Sequence, residues 1–430
     1  MGSAVDTSVK FYRNTFAGIP KLKQTRGDMV RLLDAVLVNG FGQRNIDSAV
    51  YEPGFITYNI AGNPFPEWVV VTVEGSPNPE LNGEFRAVEV SSGSIKLPVK
   101  NVTAAPVSTA GMTVKFAPMG YEIYRTNGGG KRVYRSKNPL SNKTCLVVHD
   151  EAMAGYTRPA LWAAVGIVQD TVGVEPEDFR GAVHPWSPTL PYVNWKPNVE
   201  PNRIGWYKWY YKMYAYESGA TGSADDLTFL IVGDDRIFFY ETLYMLGWYG
   251  RIRYTFGEID AVSSADQWAT ILVAEEMPLG DAGLPNYPGQ RCAYGGLQAG
   301  WTADATGRSL LSRHDGSLNG ERYYLGWLRF DENGYPFSGV NGTQAWPNAP
   351  SGSTLIVPVF VQGASGYRGR LPGAHAVLHL AANFQDGQIV KTQINPGEPK
   401  RRFMMSRTQY NNFNDTALVA YDLTGPWRKQ

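Results

Sequence analysis

Cysteine and histidine are scarce in this chain, with two Cys, Cys145 and Cys292, and five His in 430 residues. Two thiols so far apart make neither a disulfide framework nor a thiolate metal cluster, and they fit a reducing compartment such as bacterial cytoplasm. A surplus of either charge is missing too, because 40 Lys plus Arg stand against 39 Asp plus Glu. Without a bulk positive field, binding to nucleic acid or to an anionic membrane surface is not expected. No apolar run approaches the length that crosses a bilayer, and Met1 to Lys10 lacks the continuous apolar core of a secretory signal. The expectation is a soluble, non-exported protein with no membrane insertion.

What the chain has instead is rings and breakers. Aromatics make up 13%, with 25 Tyr and 12 Trp, while 47 Gly and 28 Pro punctuate the sequence. That mixture favours short strands over long helices, so an all-β fold is expected. The length implies more than one domain. We expect an N-terminal arm with a short helix over residues 1–50, a small β-barrel module over 51–120 and a larger β-sandwich over 121–430. The barrel follows from short alternating segments between Phe55 and Phe116, separated by turn sequences such as Gly62-Asn-Pro64 and Pro79-Glu-Leu-Asn-Gly83. After Tyr121 the segments lengthen. Three stretches rich in Pro, Gly and Asn, Gly173 to Pro201, Pro278 to Thr306 and Asn341 to Ser353, read as long loops of the functional or interfacial kind.

The best-punctuated segment is the helix. Met29, Leu32, Leu33, Val36 and Leu37 lay one apolar stripe along it; Thr25 is placed to cap its first amides, Asp28 to favour its start, and Asn39-Gly40 to supply a left-handed stop. Phe11, Tyr12 and Phe16 precede it. Arm and helix are expected to bury their apolar side chains on a neighbouring subunit. Phe11, Tyr12, Phe16, Met29, Leu32, Leu33 and Val36 are therefore candidate interface residues.

This helix with its turn, Leu32-Leu-Asp-Ala-Val-Leu-Val-Asn-Gly-Phe-Gly42, resembles the opening of a family of tailed-bacteriophage virion proteins. Three further patches are similar to that family in the same order: Leu81-Asn-Gly-Glu-Phe-Arg-Ala-Val-Glu-Val90; Tyr134 to Pro139 with Cys145 to Asp150; and Leu230 to Tyr240 with Phe256 to Asp260. The resemblance covers the first 260 residues or so in patches. It implies a structural component of a phage particle, tail-associated at the baseplate, collar or fibre link, assembled in the bacterial host cytoplasm from homo-oligomers among other virion proteins. It carries over no catalytic residue.

Several motifs could hold chemistry, and each has a plainer reading. The segment Trp206 to Tyr216 is aromatic on both strand faces, as a central core strand would be. As a contact surface it offers Trp206 and Trp209 to a subunit, or with Trp248 to a host glycan. Asp234-Asp235 sits where a hairpin turn wants such residues, with Asp225-Asp226 nearby. Glu258 and Asp260 have the spacing of a carboxylate pair or of a solvated strand edge. His375 and His379 have helical zinc spacing but no third ligand. Cys145 with His149 falls on one apolar strand. Gly128-Gly-Gly130 precedes a strand, so it reads as a hairpin loop rather than a phosphate cradle. We expect no enzyme, no cofactor and no metal. The alternatives are a glycan-binding receptor-recognition protein or a capsid decoration protein.

Overall fold

The computed structural model describes residues 3–23, 27–126, 130–150, 161–168, 207–212, 227–245, 249–262, 268–273, 275–276, 309–313, 321–326, 356–363, 366–377, 384–393, 397–409 and 416–428. The three long loops, Thr25, Trp206, Trp248, Asp225, Asp226, His379 and Cys292 lie outside the described residues. The fold is all-β, as composition implies, with one short α-helix among the described residues, near the N-terminus.

The expected small barrel is instead a pair of four-stranded antiparallel sheets that do not close. One sheet runs in the spatial order Phe41–Asn45, Thr113–Phe116, Val70–Glu74, Gly83–Arg86; the other runs Ser48–Glu52, Phe55–Asn59, Ser94–Pro98, Glu89–Val90. Two strands that begin before residue 51 thus pair inside this module, Phe41–Asn45 with Thr113–Phe116 and Ser48–Glu52 with Phe55–Asn59. Alternation explains the architecture: Ile56, Tyr58, Ile95 and Leu97 of one sheet, and Val71, Val73, Phe85 and Val114 of the other, are buried. Each sheet therefore has one face for the core and one for water.

The rest of the chain is larger and layered. A 13-stranded sheet includes the run Lys10–Arg13, Phe229–Gly233, Ile237–Met245, Tyr249–Glu258, Trp268–Val273, and it continues to the C-terminal strands Gly366–Val377, Thr416–Asp422 and Arg401–Gln409. A separate six-stranded sheet begins with Tyr121–Thr126 and includes Tyr207–Lys212. Within the larger sheet, the strand Ile237–Met245 packs against the six-stranded sheet on one face and against the C-terminal segment on the other. Phe238 and Tyr240 face Trp209 of the six-stranded sheet, with ring centroids 5.9 Å and 6.0 Å away. Phe239 points to the opposite side and meets Tyr421 at 5.2 Å and Trp427 at 5.9 Å. Burial of both faces is why Ile237-Phe-Phe-Tyr reads as an unbroken apolar run instead of an alternating one.

The helix spans Asp28–Leu33 and continues as a π-helical turn over Asp34–Asn39. Gly40 ends it with φ 71 and ψ 176. The positive φ matches the expected stop, but the extended ψ sends the chain directly into the strand Phe41–Asn45 instead of forming a left-handed cap. A Cβ at Gly40 would stand 2.4 Å from the Phe116 carbonyl oxygen, so glycine is required by space as well as by angle.

Candidate functional site

The candidate interface residues are core residues of the chain itself. Phe11, Tyr12 and Phe16 are at most 8% exposed, and Met29, Leu32, Leu33, Val36 and Trp209 are fully buried. The expectation that the helix stripe and the arm's rings lie on the surface for a neighbour is corrected accordingly, because their apolar area is already covered within the chain. Phe16 stacks on Phe116 at 5.1 Å, and Phe116 stacks in turn on Phe41 at 4.6 Å. Tyr12 stands edge-on to Phe41 at 5.6 Å. Trp209 lies parallel to Tyr254 at 5.9 Å and donates its indole N–H to the Val273 carbonyl at 2.9 Å. A ring so enclosed has no face for a sugar. Trp206 lies outside the described residues.

Beside the arm lies a junction at which Asp6 and Val9 meet Arg402 and Leu423 around Trp68 and Arg86. Arg86, on the last strand of its sheet, is fully buried and donates to three backbone carbonyls: Nε to Asp6 at 2.8 Å, Nη1 to Trp68 at 2.9 Å and Nη2 to Val9 at 2.9 Å. Burial lowers its pKa to about 10, which still leaves it charged at neutral pH. The fixed fork of a guanidinium is suited to gripping several acceptors at once. Trp68, held at φ 71, lies between Arg86 and Arg402, whose guanidinium carbon is 4.0 Å from the ring centroid. The Trp68 indole donates to the Leu423 carbonyl at 3.1 Å. N-terminal arm, module and C-terminal segment are thereby fastened around one tryptophan.

The C-terminal segment continues to the carboxylates that the sequence singled out. Asp234 does sit in a hairpin turn, its amide donating to the Ile237 carbonyl at 2.9 Å. One Asp234 oxygen accepts the amides of Arg236 and Ile237 at 2.8 Å each, and the other accepts Arg428 Nη1 at 2.5 Å. Glu258 is buried, not on a solvated edge. It accepts the Asn142 amide at 2.8 Å through one oxygen and Arg236 through the other. Arg428 also donates to the Glu258 carbonyl at 2.6 Å and lies 3.6 Å from Asp260. Asp260 pairs with Arg370 at 3.0 Å. Burial raises the pKa of Asp234, with Arg428 pulling it back down. An acid so thoroughly paired is a clamp for the chain end, and none of its oxygens is left over for proton transfer.

The remaining motifs resolve in the same direction. His375 lies on a strand, not a helix, edge-on to Phe403 at 5.4 Å, and burial lowers its pKa to about 4. Cys145 is buried in its strand. Gly130 leads into the strand Lys131–Ser136. Among the described residues no group of three or more His, Cys, Asp or Glu is gathered to hold a metal ion, and no described helix is long and apolar enough to cross a membrane.

Sequence reasoning missed Arg86, Arg428 and Trp68. The signal available was chemical: an arginine inside the alternating segment Glu84-Phe-Arg-Ala, and an arginine directly after Gly425-Pro-Trp427. No protein-family model matches this chain, and no curated protein matches its sequence.

Proposed function

We propose that this protein is a structural component of a tailed-bacteriophage particle, tail-associated at the baseplate, collar or fibre link, which works by subunit association in the virion after assembly in the host cytoplasm. What supports the reading chemically is the convergence of both chain ends on Trp68, Arg86 and Asp234. Module and body are laced together by these contacts, and Asp234 and Glu258 are consumed in ion pairs. Such construction suits a part that transmits force between neighbours. The four sequence patches, from Leu32 to Asp260, supply the phage assignment. The glycan-binding alternative loses Trp209, whose ring is enclosed.

Imaging purified particles labelled through this protein tests the proposal. Label at fixed, symmetric positions on the tail is the expected result, and particles that never carry it would refute the assignment. Light scattering should give a multiple of 47.5 kDa. A glycan array should be silent; strong, specific binding there would favour the receptor-recognition reading.

A further inference from the structure

The two sheets of the module have four outer edges, and three of them are blunted. Phe41–Asn45 has a register shift between Phe41 and Arg44, with Gly42 at φ 68 and the charge of Arg44. Gly83–Arg86 is covered by the arm, through Lys10 on Glu84 at 3.0 Å and Arg86 on the carbonyls of Asp6 and Val9. Glu89–Val90 is only two residues long. An irregularity, a cover and a short strand are the devices by which sheet edges avoid one another. The fourth edge, Ser48–Glu52, has none of them. It runs five residues in unbroken register with Phe55–Asn59, holds no Pro and no Lys, and leaves Val50 52% exposed at its centre. Glu52 and Phe55 close a two-residue turn, so Glu52, Val50 and Ser48 bond to the inner strand while the amide and carbonyl of Ala49 and of Tyr51 face outward. The Ile60 amide, donating to the Gly93 carbonyl on the far side of that inner strand, fixes the same phase. No described residue bonds to the four outward groups.

We propose that this edge pairs with the same edge of a second copy, antiparallel, about a two-fold axis at Val50. The inference rests on the assembly reading above and names the contact. What selects a second copy is that the strand is complementary to itself. A two-fold at Val50 sets each Ala49 opposite the other copy's Tyr51, and each such pair exchanges two main-chain bonds, which satisfies every outward group. Small then meets large on the half-buried inner face, and Val50 meets Val50 on the outer one. Glu52, the one charge of the strand, already pairs with Lys96 at 3.0 Å and lies opposite Ser48 instead of a second Glu52. The Ser48 hydroxyl accepts from Asn59 Nδ2 at 2.7 Å, so its own O–H is left to donate to that carboxylate. Other registers lose contacts. A shift toward the turn brings in Pro53, which has no N–H, or faces Glu52 with Glu52; a shift the other way reaches Asp47, whose amide is turned inward onto the Asn59 carbonyl. The contact uses main-chain bonds for affinity and alternate side chains for fit, and it is isologous.

Cross-linking at the axis tests this. In a Cys145→Ala, Cys292→Ser background, Val50→Cys sets two thiols face to face across the two-fold, whereas Ser48→Cys leaves its two copies four positions apart, about 13 Å along the strand. Mild oxidation should therefore give covalent dimers of Val50→Cys and none of Ser48→Cys. Dimers from neither variant, or equally from both, overturn the pairing. Val50→Lys is the second arm, since it opposes two like charges at the axis on a residue that the fold leaves exposed. Its light-scattering mass should be half that of wild type, with wild-type strand content by circular dichroism. An oligomer that survives Val50→Lys and does not link through Val50→Cys refutes this edge while leaving the assembly reading standing. A wild-type chain that stays monomeric and does not link removes both. Val50→Cys that links in purified particles only to a different protein overturns the second copy as occupant.

Discussion

Asp150 accepts the Met29 amide at 2.8 Å and that of Val30 at 3.4 Å, across 121 and 120 positions of sequence. The first residue before the helix is Gly27, which offers no side-chain cap. A carboxylate directly after the strand Cys145–His149 does this work, and it meets the positive end of the helix dipole. Its neighbour Tyr134 donates to Asp34 at 2.7 Å, and Arg132 does so at 3.2 Å. Polar contacts thus hold the helix at both of its ends, at Met29 and Val30 and at Asp34.

Removing that cap should loosen the helix. Asp150→Ala is expected to cost about 1–2 kcal/mol, read from denaturant unfolding, with faster hydrogen exchange at Met29 and Val30. Asp150→Asn should recover part of the loss, because the amide oxygen can still accept. Unchanged exchange at those two amides would show that the helix start is held by other means.

Arg86 should be the most sensitive residue of the junction. Arg86→Met would leave the carbonyls of Asp6, Trp68 and Val9 buried without their donor, a loss on the order of 3–5 kcal/mol. Arg86→Lys should rescue little, since one ammonium cannot reproduce the fork. Limited proteolysis is the direct readout: the arm should become cleavable before the rest of the chain. An arm that stays protected in Arg86→Met would refute this role.

The buried pair Glu241 and Arg253 should be costly to break and cheap to replace. The two lie opposite each other on adjacent strands, joined at 2.6 Å and at most 1% exposed. Tyr421 donates to Glu241 at 2.5 Å, and Arg253 donates to the Ser406 carbonyl at 3.1 Å. Glu241→Leu alone should destabilise by about 3–5 kcal/mol, and adding Arg253→Met should return part of that. A double variant that loses the full sum of both single effects would mean that the pair is not the coupled unit described.

His375 should make stability depend on pH. Its folded pKa is about 4, below the ordinary 6.5, because burial disfavours the charged ring. Between those values the unfolded chain binds a proton that the folded chain refuses, so the penalty begins as pH falls through 6.5 and is complete below about 4. The difference of about 2.5 pH units is worth roughly 3 kcal/mol. Asp234 and Asp422 act in the opposite sense, since burial raises both and folding favours their protonated forms as pH falls. Comparison of wild type with His375→Gln cancels their contribution. The variant should lose less stability than wild type between pH 7 and 4, and parallel curves would contradict the assignment.

Composition and local pattern were enough for the all-β fold, for the N-terminal helix and for the Asp234 hairpin, because turn residues, strand alternation and the apolar stripe act through neighbours in sequence. The same pattern marked Phe16, Leu32 and Trp209 as residues that must be covered. It could not say by what, because burial inside one's own chain and burial against another obey the same hydrophobic rule. That choice was made by pairing at long range: Lys10–Arg13 on Phe229–Gly233, Arg86 on Asp6 and Val9, Arg428 on Asp234. Closure of the module into two sheets rather than a barrel was decided in the same way, by which edges met. A sequence specifies which surfaces must leave water, and only the folded arrangement of distant strands decides which partner receives them.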